Sequence, residues 1–382
     1  MRLEKDLPLK QRVSNIAGIV FAAALHLHSF AGGYAVVQTQ SVADDIEWHA
    51  VAQRLLEKHS STNLLSFGGH LKESLRALAP ERVAFVMKPA EATNENFMHL
   101  HELMRQLNAD PYDDAMWGIV TAPSAKDAMR IASATNKTSL VGALTTTGLD
   151  RAKIAGDVLT ICDAHPNCIE KRISGVETKE IVDGDHSGLF ADFWNSHEPE
   201  FVFTSGHASD RNLEMSFSTG NIVSKGGRLY TQPNASLIDY MTGQYLKGRI
   251  RHAKPLAAGT KPKVWLAAGN CLLGKNSGGE SMIMALLGEG MVDQFVGYTD
   301  VTWFGAVGWG TAGYFTSGGK SLVEAYFLAH HDNLEKLYSA SEDERTKAGR
   351  IWDSVNTIFY GDPGVDIYLC GIGTPAQSAS AQ

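Results

Sequence analysis

A chain of 382 residues, 44% apolar and 20% charged, can bury a large core and exceeds the usual size of one domain. Its net charge of −8 excludes the basic surface that displaces counterions from a phosphate backbone, so nucleic acid is not expected as a partner. No run reaches the roughly 18 uninterrupted apolar residues of a membrane span.

At the N-terminus Arg2, Lys5, Lys10 and Arg12 outnumber Glu4 and Asp6, an apolar run covers 16–25, and Ser29 and Ala31 precede Gly32. A basic start, a short apolar middle and small residues at the cleavage point describe a secretory signal peptide over 1–31, cut after Ala31. The expected location is secreted, periplasmic or cell-surface. Removal leaves a mature chain near −10, with no membrane span and no cysteine at the new terminus to carry a lipid.

Strands are expected at 34–38, 64–67 and 82–87, alternating with helices at 45–58, 70–78 and 94–107. In the first helix Ile46, Val51 and Leu55–Leu56 are expected on one side. This rhythm implies a parallel sheet with helices on its faces and defines a smaller N-terminal α/β subdomain over 32–108. A second unit, 109–372, opens with a strand at 117–121 and a helix from a Ser124 cap to 134, with Asp127 at N3. It continues with a strand at 139–145, a helix from about Asp150 and a mixed stretch to 189. Apolar strands follow at 201–204, 264–268 and 294–298, and helices at 280–287, 321–339 and 343–358. The run VDIYLC, ending at Cys370, reads as a last strand, and 373–382 as a frayed tail. Thirteen of the 37 glycines fall between Lys261 and Lys320, which marks a stretch built on turns and close backbone approaches.

The chemistry is expected beyond the carboxyl ends of the strands, where open parallel sheets bind ligands. The run FVFTS delivers Gly206, His207 and Ala208; the run VWLAAGN delivers Cys271. An imidazole that shares a thiol's proton makes a nucleophile–base pair for attack on a carbonyl. Backbone N–H groups beside both residues would hold the developing oxyanion. The spacing of 64 residues leaves room for a hairpin-rich insertion.

These blocks resemble the gingipain-type cysteine peptidases of the caspase/legumain-like clan. FVFTSGHAS is similar to the family's His block and VWLAAGNCLLG to its Cys block. Gly279-Glu280-Ser281 with MIMALLG is similar to the helix after the nucleophile. The stretch from Gln294 through Trp303-Phe304 is similar to the strand and aromatic loop beside the specificity pocket. Gly361-Asp362-Pro363 with VDIYL is similar to a signature before the last strand, and DPYDDAMWGIVTAPSAKDAMRI to the opening of the catalytic subdomain. The resemblance covers about 109–372. It implies a caspase-like α/β sandwich with a mainly parallel central sheet, Cys271 and His207 as catalytic residues, and the amides of Ala208 and Cys271 as oxyanion donors. It also implies a peptide or protein substrate. Trp303 is expected to wall the pocket, and Asp300, with Asp163 and Asp210 behind it, to read a basic side chain. Family members usually carry Gly after the His, where this chain has Ala208, which disfavours positive φ.

Other groupings carry less. Cys162 and Cys168 are spaced for a small-loop disulfide in an oxidising compartment; Cys162, His165 and Cys168 lack a fourth zinc ligand, and no metal is expected. Asp183 and Asp185 of DGDHSG read as a turn before a calcium site. GYFTSGGKS has one residue too many for a phosphate loop, and Lys275 replaces the Gly that a nucleophile elbow needs. His99 and His101, and the adjacent His330 and His331, fall on different helix faces. No cofactor is required. The expected activity is that of a secreted cysteine endopeptidase, cutting after a basic residue. A non-catalytic binding module of the same fold and an amidase acting on non-peptide amides stand as alternatives.

Overall fold

The computed structural model describes residues 33–233, 254–338 and 342–369; the segment 1–31 expected as a signal peptide, Cys370 and the tail 373–382 lie outside the described residues. The first strand, β1 (Tyr34–Gln38), is buried at every position. It leads through the short helix α1 (Gln40–Ala43) to α2 (Ile46–Lys58), whose first turn is capped by the Asp45 carboxylate accepting from the Glu47 (3.1 Å) and Trp48 (3.3 Å) amides. Trp48, Val51, Ala52, Leu55 and Leu56 form its buried face. Ile46, expected on that face, is 87% exposed, because at 3.6 residues per turn it falls nearly opposite the arc of Trp48, Val51, Ala52 and Leu55.

The chain continues as β2 (Asn63–Ser66), α3 (Leu71–Leu78), β3 (Arg82–Val86), α4 (Asn94–Met104), β4 (Met116–Val120), α5 (Ala125–Ala132) and β5 (Val141–Thr145). The helix expected from Asp150 is only a 3-10 turn, Arg151–Lys153; the strand β6 (Ala155–Ile161) follows. Three of the four residues in its VLTI run are β-branched, and it finds partners on both sides, β5 and β7 (Cys168–Ile173). A two-residue turn at Ser174–Gly175, both at positive φ (49° and 81°), reverses the chain into β8 (Val176–Ile181). Then come α6 (His186–His197) and β9 (Phe201–Thr204), and four short antiparallel strands: β10 (Ala208–Ser209), β11 (Asn212–Glu214), β12 (Asn221–Lys225) and β13 (Arg228–Gln232). The last elements are β14 (Lys263–Ala267), α7 (Met282–Leu287), β15 (Val292–Tyr298), α8 (Ala306–Ser317), α9 (Leu322–Tyr338), α10 (Glu344–Asn356) and β16 (Thr357–Tyr360). The helix expected to reach 358 stops at Asn356. Thr357-Ile-Phe-Tyr360 is β-branched and aromatic, and it is buried between β4 and β15. Among the described residues, the run expected as the last strand makes one bridge, Lys137 to Ile367.

Twelve strands form one mainly parallel sheet in the order β2-β1-β3-β4-β16-β15-β14-β9-β5-β6-β7-β8. Strand direction reverses between β16 and β15. The boundary expected at residue 108 falls between β3 and β4, which pair along five residues. Helices cover both faces, and β14 shows how: Trp265 packs on Phe190 and Trp194 of α6, centroids 6.3 and 6.1 Å away. Its neighbours Val264 and Leu266 belong to the opposite layer with Phe315, Val323 and Tyr326, as a period of two requires.

Two buried polar clusters brace this frame. His101 and His330 stack ring on ring at 5.0 Å, with His101 Nε2 against the Thr357 carbonyl (2.8 Å) and His330 beside Asp113 (3.2 Å). Burial holds His101 well below its ordinary value, and it lowers His330 as well against the opposing pull of Asp113. Asp362, from the Gly-Asp-Pro turn, accepts from Tyr34 Oη (2.6 Å), His59 Nε2 (2.8 Å), Lys58 Nζ (2.5 Å) and the Gly364 amide (2.8 Å).

Candidate active site

β9, β14 and β15 are parallel neighbours in the sheet, so their carboxyl ends meet at one edge. Thr204 ends β9 opposite Ala267 of β14, and the Ala268 amide extends the ladder to the Thr204 carbonyl (3.0 Å). His207 follows three residues after the first strand and Cys271 four residues after the second.

The His loop turns at Gly206, whose φ of +121° few side-chain-bearing residues adopt. His207 is exposed, and among the described residues no hydrogen bond reaches its ring. The His207 carbonyl accepts from the Glu214 amide (3.0 Å), which makes this pair the hydrogen-bonded one at the start of the β10–β11 ladder. In an antiparallel ladder such pairs alternate with non-bonded ones. The next pair, Ala208 with Leu213, therefore turns the Ala208 N–H away from β11, toward the outer side of the edge strand β10. Ala208 lies in extended backbone within that strand, so an Ala at this position adds no backbone strain.

The Cys loop is held on three sides. Asn270, fully buried, accepts from Thr204 Oγ1 (2.7 Å) and donates Nδ2 to the Gly206 carbonyl (3.0 Å). One amide side chain thus ties the residue before Cys271 to the residue before His207. Leu272 adopts φ +61°, a sparsely populated region for a non-glycine residue, and its amide donates to the Asp300 carbonyl (3.1 Å). The Gly274 amide donates to the Tyr298 carbonyl (2.8 Å). Cys271 is half-buried. Its sulfur accepts from the Thr302 amide (3.4 Å) and lies 3.3 Å from Thr302 Oγ1.

The loop after β15 supplies the aromatic surroundings. Trp303 is 55% exposed and Phe304 48%. The Asp300 carboxylate folds back onto the Val301 amide (2.7 Å), and the Trp352 indole N–H holds the Val301 carbonyl (2.7 Å). Behind this loop Gly305 begins α8 without a capping side chain. Asp353 of α10 takes that role, accepting from the amides of Ala306 and Val307 and from Tyr298 Oη. A Cβ on Gly308 would stand 2.2 Å from the Ala268 carbonyl, so only glycine lets α8 press on the backbone that leads to Cys271.

His207, Cys271, Asp300 and Trp303 thus lie on loops leaving three adjacent strand ends, with Ala208 opening β10 directly after His207. Asp210 is on the tip between β10 and β11, and its carbonyl accepts from the Met282 amide (2.7 Å). Asp163 lies exposed in the β6–β7 turn. Asp185 caps α6 (3.1 Å to the Ser187 amide) and Asp183 accepts from Asn167 (2.6 Å), each with a local hydrogen-bond partner. Cys162 and Cys168 are free thiols. Asn270, Thr302 and Asp353 were not singled out in the sequence; Asn270, directly before the Cys in AAGNC, was the one with a visible signal.

The fold has a counterpart. It is similar to a chain in the complex of Porphyromonas gingivalis RgpB pro- and mature domains, with a TM-score of 0.51 and 9% identity over 87% of this chain and 79% of that one. This chain has the gingipain-type, caspase-like α/β fold. No protein-family model matches the sequence, and no curated protein matches it. At 9% identity the likeness speaks to the gingipain-type fold alone; the chemistry rests on the residues.

Proposed function

We propose that this protein is a secreted cysteine endopeptidase in which Cys271 is the nucleophile and His207 the general base and acid. The observation that carries the reading is the Asn270 tie, which fixes the loops of an exposed imidazole and a half-buried thiol against each other at adjacent strand ends. His207 takes the thiol proton as sulfur attacks the scissile carbonyl carbon. The negative charge that develops on the carbonyl oxygen is held by the amides of Ala208 and Cys271, the first of which points off the free edge of β10. Collapse expels the leaving amine with the proton from His207 and leaves a thioester, which water hydrolyses with His207 again as base. Trp303 forms a wall for the side chain before the cut. Asp300 attracts a basic one, once its carboxylate turns from the Val301 amide.

The test is iodoacetamide labelling of the mature protein across a pH series, followed by a peptide-library screen. Cys271 is expected to label fast well below the free-thiol value of about 8.5, slowed in His207→Ala, with library cleavage abolished in Cys271→Ala. Slow labelling with no cleavage favours a non-catalytic module of the same fold; an activated Cys271 that cleaves no peptide favours an amidase.

A further inference from the structure

The turn between β6 and β7 carries a second pair of sulfurs that this activity leaves unused. Cys162 directly follows β6 and Cys168 opens β7, and the Cys162 N–H donates to the Cys168 carbonyl (2.9 Å). The two residues therefore stand opposite each other, one step beyond the Ile161–Ile169 pair. Opposite residues of an antiparallel pair project to the same face, and a hydrogen-bonded pair keeps its Cα atoms about 5.5 Å apart. That distance lies inside the roughly 4.4–6.8 Å range that a disulfide spans. The sulfurs lie within 4.8 Å of one another and are unbonded. Residues 163–166 of the turn are exposed, Cys162 is half-buried and Cys168 is buried.

Glu170 completes a cluster of three metal-type donors, but its two oxygens are already held by Arg151 Nη1 (2.8 Å) and Lys179 Nζ (2.9 Å). A dication would be set against two fixed positive charges, so the thiols themselves carry the chemistry.

We propose that Cys162 and Cys168 are a reversible dithiol–disulfide pair, oxidised by exchange with a disulfide-bearing small molecule or protein. The Cys162 thiolate attacks one sulfur of the incoming disulfide and expels the first thiolate, which takes up the proton Cys162 lost. The Cys168 thiolate then attacks the Cys162 sulfur and expels the second. Two protein thiols are oxidised to one disulfide, and the incoming disulfide is reduced to two thiols. Burial and the facing Cys168 push the Cys162 thiol up to about 12, so the resting pair exchanges slowly near neutral pH and faster as pH rises. The inference is independent of the peptidase reading, because neither sulfur belongs to that site.

The test uses the full mature chain in oxidised/reduced glutathione mixtures, quenched with iodoacetamide and digested with trypsin without reduction. Residues 154–171 contain no internal Lys or Arg, so one peptide holds both cysteines, apart from Cys271. It is expected to lose both thiol hydrogens and take no alkyl group as the mixture becomes oxidising, with a rate that rises about tenfold per pH unit below the Cys162 value. Cys168→Ser is expected to accumulate a lasting glutathione adduct on Cys162. The proposal is overturned if both thiols of the wild-type chain remain fully alkylated in excess oxidised glutathione, or if the wild-type chain stops at the Cys162 adduct. It is overturned in favour of a metal site if zinc ion alone protects both thiols through dialysis and Glu170→Gln abolishes that protection.

Discussion

The side chain that organises the candidate site is Asn270, and neither of its roles is chemical. It accepts from Thr204 and donates to the Gly206 carbonyl, and Thr204 in turn accepts from the Trp265 indole (3.0 Å), so the link is rooted in the core. Buried amides that lose their partners cost about 1–3 kcal/mol each. Asn270→Ala is therefore expected to lower the unfolding free energy by about that amount. It is also expected to cut kcat by roughly 10- to 100-fold, the scale of loss that a misplacement of about 1 Å produces, with little change in KM. Steady-state kinetics beside urea unfolding checks this; a KM effect with kcat intact would mean that Asn270 shapes the pocket instead. His207→Ala, at the proposed proton-transfer residue, is expected to lose about 10²–10⁴-fold in kcat/KM.

Among the elements, α8 shows how a weak helix is made to form. Its sequence AVGWGTAGYFTS contains three glycines, each costing about 1 kcal/mol relative to Ala, and its N-cap has no side chain. Asp353 of α10 supplies the missing acceptor, and burial raises that carboxyl while the helix amides oppose the rise. Asp353→Ala is expected to destabilise the protein by about 1–3 kcal/mol. Because α8 begins three residues after Trp303, the substitution is also expected to loosen the aromatic loop, read as a red-shifted tryptophan emission at temperatures where the fold persists. An unchanged spectrum would separate the cap from the loop.

Across the whole molecule, Asp362 joins the first strand and first long helix to a turn more than 300 residues away in sequence. Burial alone would raise its carboxyl, but the His59 hydrogen bond and the charge of Lys58 hold it below the ordinary value. The folded state therefore releases this proton more readily than the unfolded chain, where a carboxyl titrates near about 3.9. The stabilisation is complete above that pH and is lost as pH falls through the lower, folded value. Asp362→Asn is expected to cost about 3–5 kcal/mol at neutral pH, the scale of breaking a buried pair. The gap between variant and wild type should close as pH drops below about 4. Urea midpoints at pH 7 and in the acid range measure it; a gap independent of pH would mean that the carboxylate's charge contributes nothing.

The sequence by itself determined the local pieces. Strands such as YAVVQ, FVFT and KVWLA are apolar along their length because both faces are covered. Caps such as Asp45 and Ser124 set helix starts through their own neighbours, and the α/β class follows from runs that are legible locally, as does the candidacy of His207 and Cys271. Elsewhere long-range partners decide the outcome: VLTI after Asp150 is a strand because β5 and β7 flank it, Thr357–Tyr360 leaves its helix because β4 and β15 receive it, and α8 forms because Asp353 caps it from another helix. The same reason hid Asn270 and Thr302 as parts of the site. A hydrogen bond between loops separated by 64 residues leaves no periodic trace in the chain, and neither does the reversal of strand direction between β16 and β15. Periodicity and capping are properties of neighbours in sequence, whereas the meeting of three strand ends is a property of the folded sheet.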